Sequence, residues 1–469
     1  MMRRPLLLIV LLLASCHVAL AQKRAFALED LYRIKNVSEV HLSPDGKSII
    51  YMLTTSDLAR AQRTNQLWIM DAGGENARLI SPAGTNVVSP RFSPDGSLIA
   101  FISTLDGNAN LYLMNASGGD ARQLTKISTG VSDPLWSPDG KWIAFSTEVY
   151  PECGGDDACN KRIADRWAQG PLKAHMGDDL LYRHWNAWRD GTRTHIFLAS
   201  VATGEVRDLT PGEIDAPTFQ LGGPLQYDFS PDGTELAYVS NHDRDLASST
   251  NNDLWLLSLT DVNAKPRNIT ASNRAYDGSP KYSPDGSFIA YRMQRQLGYE
   301  SDLFRLALYD RKTGTSRVLT ESFRNWVDEF EWAEDSRSIF FNSGVEGVNP
   351  IYRLELGSGK ITEIFRDRTI GDLNFSRDGR RLVYTMRSTG EPAEIYSADL
   401  NIPAGNSGMA NTAAMRRRLS KMSRVLLLTA PSVARPTGMP ALRSAGMGVT
   451  PMASLRYVLG AWAIPTWPR

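Results

Sequence analysis

Short apolar runs separated by polar turns form the pattern of the chain from about residue 26 to residue 400. The runs are rich in β-branched and aromatic side chains, which is typical of strands rather than helices. Three kinds of run follow one another in a repeat, for example at residues 98–101, 111–114 and 122–125. The first two kinds are apolar on both faces, as strands stacked between neighbours must be. The pattern predicts repeated antiparallel meanders, with the first kind of run as the inner strand.

The tetrapeptide Ser-Pro-Asp-Gly precedes these runs in each repeat. Proline presets φ, aspartate bonds nearby backbone groups, and glycine avoids steric strain where the chain leaves the turn. The tetrapeptide is therefore a turn. Its copies recur every 43–53 residues or so, with one interval about twice as long, which suits the blades of a WD40-like propeller. The copies begin at Ser43, Ser93, Ser137, Ser230 and Ser283, with degenerate copies at Ala333 and Ser376. Seven copies predict an all-β, seven-bladed β-propeller over residues 26–400.

The long interval, between Ser137 and Ser230, contains one set of strands and an insertion at about residues 150–194. Long loops on a rigid scaffold are where function concentrates. The competing interpretation is structural, with the tryptophans packing the insertion onto its blade and its polar groups satisfying local hydrogen bonds. The candidate interface or substrate-entrance residues are Arg183, His184, Trp185, Trp188, Arg189, Asp190 and His195.

The overall charge is close to neutral, since the chain has 52 basic and 51 acidic residues. No global field therefore points to nucleic acid or to an anionic membrane. The adjacent carboxylates of Asp156 and Asp157 lack the spaced oxygen ligands of a calcium loop. We expect no nucleic-acid partner, no cofactor and no metal site.

The N-terminus has the features of a secretory signal peptide, predicted over residues 1–21. Arg3 and Arg4 precede an apolar run at residues 6–13, and small residues before Gln22 offer a cleavage site. In the alternative interpretation, a lipoprotein signal ends at Cys16, which would then carry a lipid anchor. Both interpretations predict an exported protein, periplasmic or extracellular.

Export also bears on the two remaining cysteines, Cys153 and Cys159. Disulfides persist in oxidising compartments, and the glycines between these residues let a short loop curl back. We expect a local disulfide between them.

Three stretches resemble bacterial S9 (prolyl-oligopeptidase-type) serine peptidases, in the branch of acylaminoacyl-peptidases and dipeptidyl-peptidase-5-like enzymes. They are Phe-Ala-Leu-Glu-Asp-Leu at residues 26–31, Val-Ser at 37–38, and Leu-Tyr-Arg-His-Trp-Asn-Ala-Trp-Arg-Asp-Gly at 181–191. The resemblance implies a propeller that caps an α/β-hydrolase domain and selects peptide substrates for a Ser-Asp-His triad. TolB-like periplasmic propellers share the turn repeats, so a protein-interaction propeller is the alternative function.

The triad itself is missing from the sequence. A hydrolase of this kind needs a Gly-x-Ser-x-Gly elbow followed in the chain by an acid and a histidine, and no such elbow occurs. No histidine follows His242. We therefore expect no catalytic residue in this chain, and we take a hydrolase domain encoded downstream as a candidate partner.

Residues 401–469 form a basic tail with nine Lys or Arg and no Asp or Glu. A closing strand of the Arg-x-Leu-Thr type is missing at the normal spacing, and the candidate at Arg418, Leu419 and Ser420 comes late. We expect an incomplete seventh blade with an exposed strand edge, followed by a disordered tail or one translated in a shifted reading frame. The alternative is a basic arm for nucleic acid or membrane, which export disfavours.

Overall fold

The computed structural model describes residues 27–420, apart from 83, 172–173, 178–179, 181, 185–186, 219–223, 262, 377–378 and 401–416. Within these residues thirty strands occur, and all but two belong to seven four-stranded antiparallel sheets. Each sheet takes its strands in sequence order, so each sheet is one blade. The predicted seven-bladed β-propeller is confirmed. The signal peptide, Cys16 and residues 421–469 lie outside the described residues.

The first three blades are formed by the N-terminal half of the described chain. Blade 1 contains β1 (Asn36–Leu42), β2 (Ser48–Asp57), β3 (Gln62–Asp71) and β4 (Arg78–Leu79). Blade 2 contains β5 (Val87–Phe92), β6 (Leu98–Ser103), β7 (Asn110–Asn115) and β8 (Arg122–Gln123). Blade 3 contains β9 (Ser132–Trp136), β10 (Trp142–Val149), β13 (Arg193–Ser200) and β14 (Val206–Asp208).

The other four blades follow the same plan. Blade 4 contains β15 (Tyr227–Phe229), β16 (Glu235–Ser240), β17 (Asp253–Ser258) and β18 (Arg267–Asn268). Blade 5 contains β19 (Asp277–Tyr282), β20 (Phe288–Met293), β21 (Arg305–Asp310) and β22 (Thr315–Val318). Blade 6 contains β23 (Phe330–Trp332), β24 (Ser338–Asn342), β25 (Ile351–Glu355) and β26 (Ile361–Phe365), and blade 7 contains β27 (Thr369–Phe375), β28 (Arg381–Ser388), β29 (Glu391–Asp399) and β30 (Arg417–Arg418).

The insertion of blade 3 lies between β10 and β13, which pair directly across it. It contains the helix α1 (Asp157–Gln169) and the hairpin β11 (Arg183–His184) and β12 (Ala187–Trp188). A 3₁₀ helix, Leu28–Arg33, precedes β1. None of the helices in the described part of the chain is long and apolar enough to cross a membrane.

The Ser-Pro-Asp-Gly turn connects the first and second strands of a blade through a repeated hydrogen-bond pattern. In blade 4, Ser230 Oγ donates to Asp232 Oδ1 at 2.6 Å and accepts from Glu235 N at 3.0 Å. Asp232 Oδ1 also accepts from Thr234 N at 3.0 Å. The hydrogen bond from Ser230, followed by those from Thr234, lowers the pKa of Asp232 to about 2. The serine thus links the turn to the start of the second strand.

The position of the turn corrects the strand assignment made from the sequence. The apolar runs after the turns are the second strands, whereas the innermost strand of each blade precedes the turn. These first strands contact the first strands of neighbouring blades and pack on the preceding sheet. Their apolar pattern is weak because five of them contain a bulge, with a non-glycine residue at positive φ: Glu39, Ser89, Asp133, Ser279 and Asp372.

Seven apolar clusters fill the interfaces between successive blades. Blades 1 and 2, for example, bury Ile50 and Met52 against Phe101 and Tyr112. The last cluster joins blade 7 to blade 1 and contains Leu419. Each sheet is therefore apolar on both faces, and every blade depends on two neighbours.

The closing motif Arg-x-Leu-Thr explains why the fourth strands can be so short. In blade 2, Leu124 is buried and Thr125 Oγ1 accepts from Leu111 N at 3.0 Å. The motif's arginines contact the next blade: Arg78 donates to Ser117 O at 2.7 Å, and Arg122 donates to Val201 O at 2.6 Å.

The expectation of an incomplete seventh blade is wrong for the described chain. Arg417, Arg418, Leu419 and Ser420 form the closing motif of blade 7, and β30 pairs with β29. Leu419 is buried, and Ser420 Oγ accepts from Ile395 N at 2.9 Å as in the other blades. The late position of the motif is accommodated by a longer connection between the third and fourth strands, so the propeller extends beyond residue 400.

Blade 7 meets blade 1 through contacts of side chains with side chains and with the backbone, because each blade takes all four described strands from its own part of the chain. Asn374 Nδ2 donates to Val40 O at 2.6 Å, and Arg417 forms a 2.6 Å ion pair with Glu75. The ring is thus closed without a shared strand.

The residues two positions before each turn serine line the axis of the propeller. They are partly accessible, whereas the residues just before them in the chain are buried. Among them, Lys281 pairs with Glu331, and Asp228 Oδ2 accepts from Tyr282 N at 2.8 Å. Burial, opposed by the Tyr282 hydrogen bond and the charge of Lys281, raises the pKa of Asp228 to about 7. The full set is His41, Arg91, Leu135, Asp228, Lys281, Glu331 and Asn374.

Replacing the turn serine of blade 4 tests the turn. Ser230→Ala removes a buried group that both donates and accepts, so we expect the free energy of unfolding to fall by about 1–3 kcal/mol. The pKa of Asp232, measured by NMR, should rise towards its ordinary value. The control Thr234→Val removes an exposed hydrogen bond to the same carboxylate and should cost less. Equal losses in urea-induced unfolding of the two variants would contradict the role of the serine.

Asp228 predicts a pH dependence of stability. Its pKa of about 7 in the folded protein lies above its unfolded value, so the folded state binds more protons across that interval. The free energy of unfolding should therefore fall as pH rises from about 4 to about 7, by some 2–4 kcal/mol from this group. Asp228→Asn should remove this decline, while Asp139→Asn, in an exposed turn, should keep it. A difference between Asp228→Asn and wild type that is the same at pH 4.5 and pH 8 would refute the assignment.

Candidate functional site

The antiparallel meander gives the propeller two distinct faces. The Ser-Pro-Asp-Gly turns and the connections between third and fourth strands lie on one face, which we call the turn face. The connections between second and third strands, and those between blades, lie on the opposite one, which we call the loop face. The insertion of blade 3 connects a second strand to a third and so belongs to the loop face.

The first part of the insertion is fixed to its blade. Cys153 and Cys159 form a disulfide with their Cα atoms 5.5 Å apart. Asp156 caps α1 by accepting from Cys159 N at 3.1 Å, and Asp157 Oδ1 accepts from Ser128 N and Oγ in the loop between blades 2 and 3. These two carboxylates therefore have structural roles in helix capping and loop attachment.

Asn160 adds a buried attachment. Its Oδ1 accepts from Tyr150 N at 2.8 Å, and its Nδ2 donates to Gly154 O at 2.9 Å. The side chain is only 3% exposed. The first turn of α1 and the end of β10 therefore form one unit.

The end of the insertion is held by an ion pair. Arg189 donates to both carboxylate oxygens of Asp215 at 2.7 Å. Asp215 is buried in the connection between blades 3 and 4, and its Oδ1 also accepts from Thr194 N at 2.9 Å. This charge-assisted contact, in which Nη2 donates to both oxygens, restricts the orientation of the arginine. Arg189 thus anchors the insertion and is not free for a substrate.

Between these attachments, the insertion presents a stack of aromatic rings. His175 and Trp188 stack with ring centroids 4.3 Å apart, and Tyr182 stacks on Trp188 at 5.8 Å. Asp190 Oδ1 pairs with His175 Nδ1 at 2.6 Å. Trp188 is 50% exposed, so it does not pack the insertion onto its blade. We call His175, Tyr182 and Trp188 the aromatic stack.

His195 has a different environment, inside blade 3. It is fully buried, with Nδ1 2.8 Å from Asp208 Oδ2 and Nε2 3.0 Å from Gly212 O. Burial opposes protonation, but the hydrogen bond and charge of Asp208 outweigh it and raise the pKa of His195. Both ring nitrogens face acceptors, so the ring is best satisfied as an imidazolium and cannot serve as a general base.

The repeat supports this structural role for His195. The equivalent residues in the third strands of blades 2 and 7 are Asn110 and Glu394. Each bonds to the last residue of the closing motif, just after the fourth strand: Thr125 and Ser420 respectively. His195 is thus one version of a recurring buried link between the third and fourth strands.

The predicted site residues therefore form two groups rather than one. Trp188, Arg189 and Asp190 belong to the exposed insertion, and Arg183 lies opposite Trp188 in the hairpin. His195 lies apart in the blade. The side chain of His184 and the whole of Trp185 lie outside the described residues. Sequence reasoning missed His175 and Asp215, and Asp215 carries no local motif because its partner is 26 residues away.

Exposed large apolar side chains are concentrated on the loop face. Among the described residues, only Leu79 and Trp142 of this kind lie towards the turn face. Such a one-sided distribution is typical of a face that another protein surface covers. The loop-face residues are Leu58, Leu105, Trp167, Met176, Leu180, Tyr182, Trp188, Ile214, Leu246, Leu297 and Tyr299.

No group of three or more His, Cys, Asp or Glu side chains among the described residues is arranged to hold a metal ion. The described part of the insertion can bind and orient a ligand through stacked rings beside a carboxylate, and no activated nucleophile is found among its described residues.

Two curated relatives are similar to the chain in sequence. Dipeptidyl-peptidase 5 of Porphyromonas gingivalis is 34% identical over 338 residues, which cover 71% of this chain and 48% of that protein. Dipeptidyl-peptidase 5 of Porphyromonas endodontalis is 30% identical over 386 residues, covering 81% and 54%. The chain thus spans about half the length of these relatives.

Solved structures share the fold. The acylaminoacyl peptidase of Pyrococcus horikoshii matches with a TM-score of 0.62 at 15% identity, covering 86% of this chain and 55% of that one. The β-propeller domain of the Trilobed protease from Pyrococcus furiosus, described as having an open velcro topology, matches with a TM-score of 0.56 at 14% identity, covering 87% and 100%.

A family model described as the TolB beta propeller domain, PD40, matches residues 35–223 and 224–412. These two matches together contain six blades and the first three strands of the seventh. The chain therefore belongs to the PD40 family of TolB β-propeller domains, and its propeller is homologous to that of dipeptidyl-peptidase 5 in the S9 peptidase family.

Proposed function

We propose that the chain is the non-catalytic propeller of an S9-type serine peptidase, which docks a hydrolase domain and selects peptide substrates for it. The observation that carries this proposal is the concentration of exposed apolar side chains on the loop face. A stable interface needs on the order of 1,000 Å² of buried surface, and a face with apolar groups in several blades can provide it. The turn face, with its ionised aspartates, is a poorer interface.

The direction of the strands supports the same face. β1 starts at the loop face, and β30 runs towards it. Chain that precedes residue 36 or follows residue 420 therefore emerges beside the apolar residues, where a covalently linked domain would meet them. The relatives are about twice as long as the part matched here, and such a domain would correspond to the remainder of their length.

The insertion is the substrate-selecting element in this proposal. Its two ends are fixed by the disulfide and by the Arg189–Asp215 ion pair, whereas the aromatic stack between them is exposed. A fixed loop with exposed rings can restrict which peptides reach a catalytic domain docked on the same face. Arg183 and Asp190, beside the stack, would contact the peptide or the domain.

The proposal also includes export of the chain and the absence of peptide hydrolysis by the chain alone. The disulfide between Cys153 and Cys159 supports an oxidising compartment. The chain by itself would hydrolyse no peptide, because its sequence has no Gly-x-Ser-x-Gly elbow and no histidine after His242.

The alternative function is a protein-interaction propeller of the TolB kind, favoured by the description of the matching family model. In that case the loop face would bind an envelope protein instead of a hydrolase domain.

The docking surface can be tested with the chain and the catalytic half of a dipeptidyl-peptidase 5 relative. We expect the chain alone to release no dipeptide from chromogenic substrates. It should bind the catalytic half, and Leu105→Asp or Leu297→Asp should weaken binding about tenfold or more, because each places a charge in an apolar interface. The control Leu79→Asp, towards the turn face, should bind like wild type.

Three outcomes would count against this function. Hydrolysis by the chain alone would overturn the non-catalytic role. Failure to bind the catalytic half, or equal weakening by the loop-face and turn-face variants, would overturn the docking role and favour the TolB-like alternative.

The anchoring of the insertion can be tested by hydrogen exchange. Asp215→Asn leaves Arg189 without its carboxylate, so amides of residues 187–194 should exchange about 10–100-fold faster. The control Asp165→Asn removes an exposed pair with Lys161 on α1 and should change little. Unchanged exchange in Asp215→Asn would show that the ion pair does not hold the insertion.

A further inference from the structure

One buried acid interrupts a position that is apolar in most blades. Six residues before the turn serine, or its equivalent, five blades carry a buried valine or isoleucine: Val37, Val87, Val131, Val327 and Ile370. Blade 5 has Asp277 there, with no exposed surface. A carboxyl group at a site built for an aliphatic side chain is costly unless something compensates its charge.

The contacts of Asp277 leave one oxygen without a partner. Its Oδ1 accepts from Asn273 Nδ2 at 3.0 Å, and its backbone N donates to Asn252 O at 2.8 Å. Its Oδ2 is buried and has no hydrogen-bond partner among the described residues. Burial, together with the charge of Asp253 and against the interactions with Asn273 and Thr270, raises the pKa of Asp277.

Asp253 is the second carboxyl group of this junction between blades 4 and 5. It is 5% exposed, and its Oδ1 accepts from Thr270 Oγ1 at 3.2 Å. Burial and the charge of Asp243, opposed by hydrogen bonds and by His242, raise its pKa as well. Neither carboxyl has an ion pair with a lysine or arginine among the described residues, in contrast to Asp215, which has Arg189.

Asn251 provides a third oxygen. Its Nδ2 donates to Asp243 Oδ1 at 3.1 Å, which fixes the amide and directs Oδ1 the other way. That Oδ1 is also buried and unpartnered among the described residues. Asn251 is 7% exposed and adjoins Asn252, whose carbonyl bonds to Asp277 N.

We propose that the junction between blades 4 and 5 binds a hard cation, for which Ca²⁺ is the best match, through the side-chain oxygens of Asp277, Asp253 and Asn251. Carboxylate and amide oxygens are the ligands that Ca²⁺ takes, with backbone carbonyls and water completing its shell. Both unpartnered atoms are acceptors. A cation between them would satisfy both oxygens and the charge of the acid pair. The alternative, a carboxyl proton on Asp277 donated to Asn251 or Asp253, is distinguished by the test below.

The cation would connect two parts of the loop face. It would tie the loop at residues 241–252, where Asn251 lies, to the innermost strand of blade 5, which begins at Asp277. Asp243 would orient Asn251 without binding the ion itself. This site is independent of the proposed peptidase role.

The test is calcium binding and thermal unfolding of the full chain after removal of divalent ions with EDTA. Millimolar CaCl₂ should raise the Tm of wild type by about 2–5 °C, and calorimetry should show one site. Asp277→Val should fold, since five blades carry an aliphatic residue there, and should lose both the Tm shift and the binding. The control Asp228→Asn removes a partly accessible carboxyl of raised pKa elsewhere in the propeller and should keep both.

Two results would overturn the proposal. One is a wild-type Tm that does not respond to Ca²⁺, together with a carboxyl proton on Asp277 or Asp253 seen by NMR at pH 7 in its presence. The other is a Tm shift of equal size in wild type and Asp277→Val, which would place the calcium effect elsewhere.

Discussion

The structure depends on the burial of both faces of every sheet between two neighbours. A four-stranded sheet with apolar residues on both faces cannot remain alone in water, and an open row of such sheets would leave two faces uncovered at its ends. The ring removes both ends at once, because Leu419 and its neighbours in blade 7 pack against blade 1. The shortness of the fourth strands, the position of the turns and the loop-face projection of the insertion all follow from stacking the sheets in a ring.

Much of the fold could be predicted because its signals are local and repeated. The turn serines fixed the number of blades, and the closing motif marked every fourth strand except that of blade 6. The first strands were not predicted because bulges such as that at Ser279 interrupt their alternation of apolar and polar residues. The prediction of an incomplete seventh blade was wrong because the closing motif at Arg417 to Ser420 comes later than the normal spacing, although its residues match the motif. Ring contacts between distant segments, such as Asn374 with Val40, leave no pattern in the sequence.

The candidate site was predictable in its location but not in its contacts. The doubled repeat interval located the insertion, and its composition drew attention to Trp188, Arg189 and Asp190. Their partners could not be inferred, because His175 and Asp215 are chosen by how the loop folds back. His195 was grouped with them by proximity in the chain, whereas comparison between blades shows that its position is a recurring link inside the blade. In a repeat protein, each blade thus supplies a reference for the others.

Comparison between the blades also distinguishes three environments of an acidic side chain that has little or no exposed surface. Asp215 is neutralised by Arg189, and Asp208 by His195. Asp277 has neither kind of partner. Asp215 attaches the end of the insertion, and Asp208 binds His195 within blade 3. Asp277 instead stands where the repeat would place an aliphatic side chain.

The closure of the ring without a shared strand bears on the order in which we expect the molecule to fold. Contacts within a blade and between successive blades join residues that are near in sequence, and they can form early and one after another as in a solenoid. The seam between blades 7 and 1 joins residues more than 330 positions apart, such as Asn374 and Val40. Its loop-closure entropy is much reduced once the intervening blades are stacked. We therefore expect the seam to be the last contact to form during folding, and its loss to return the ring to an open chain of blades.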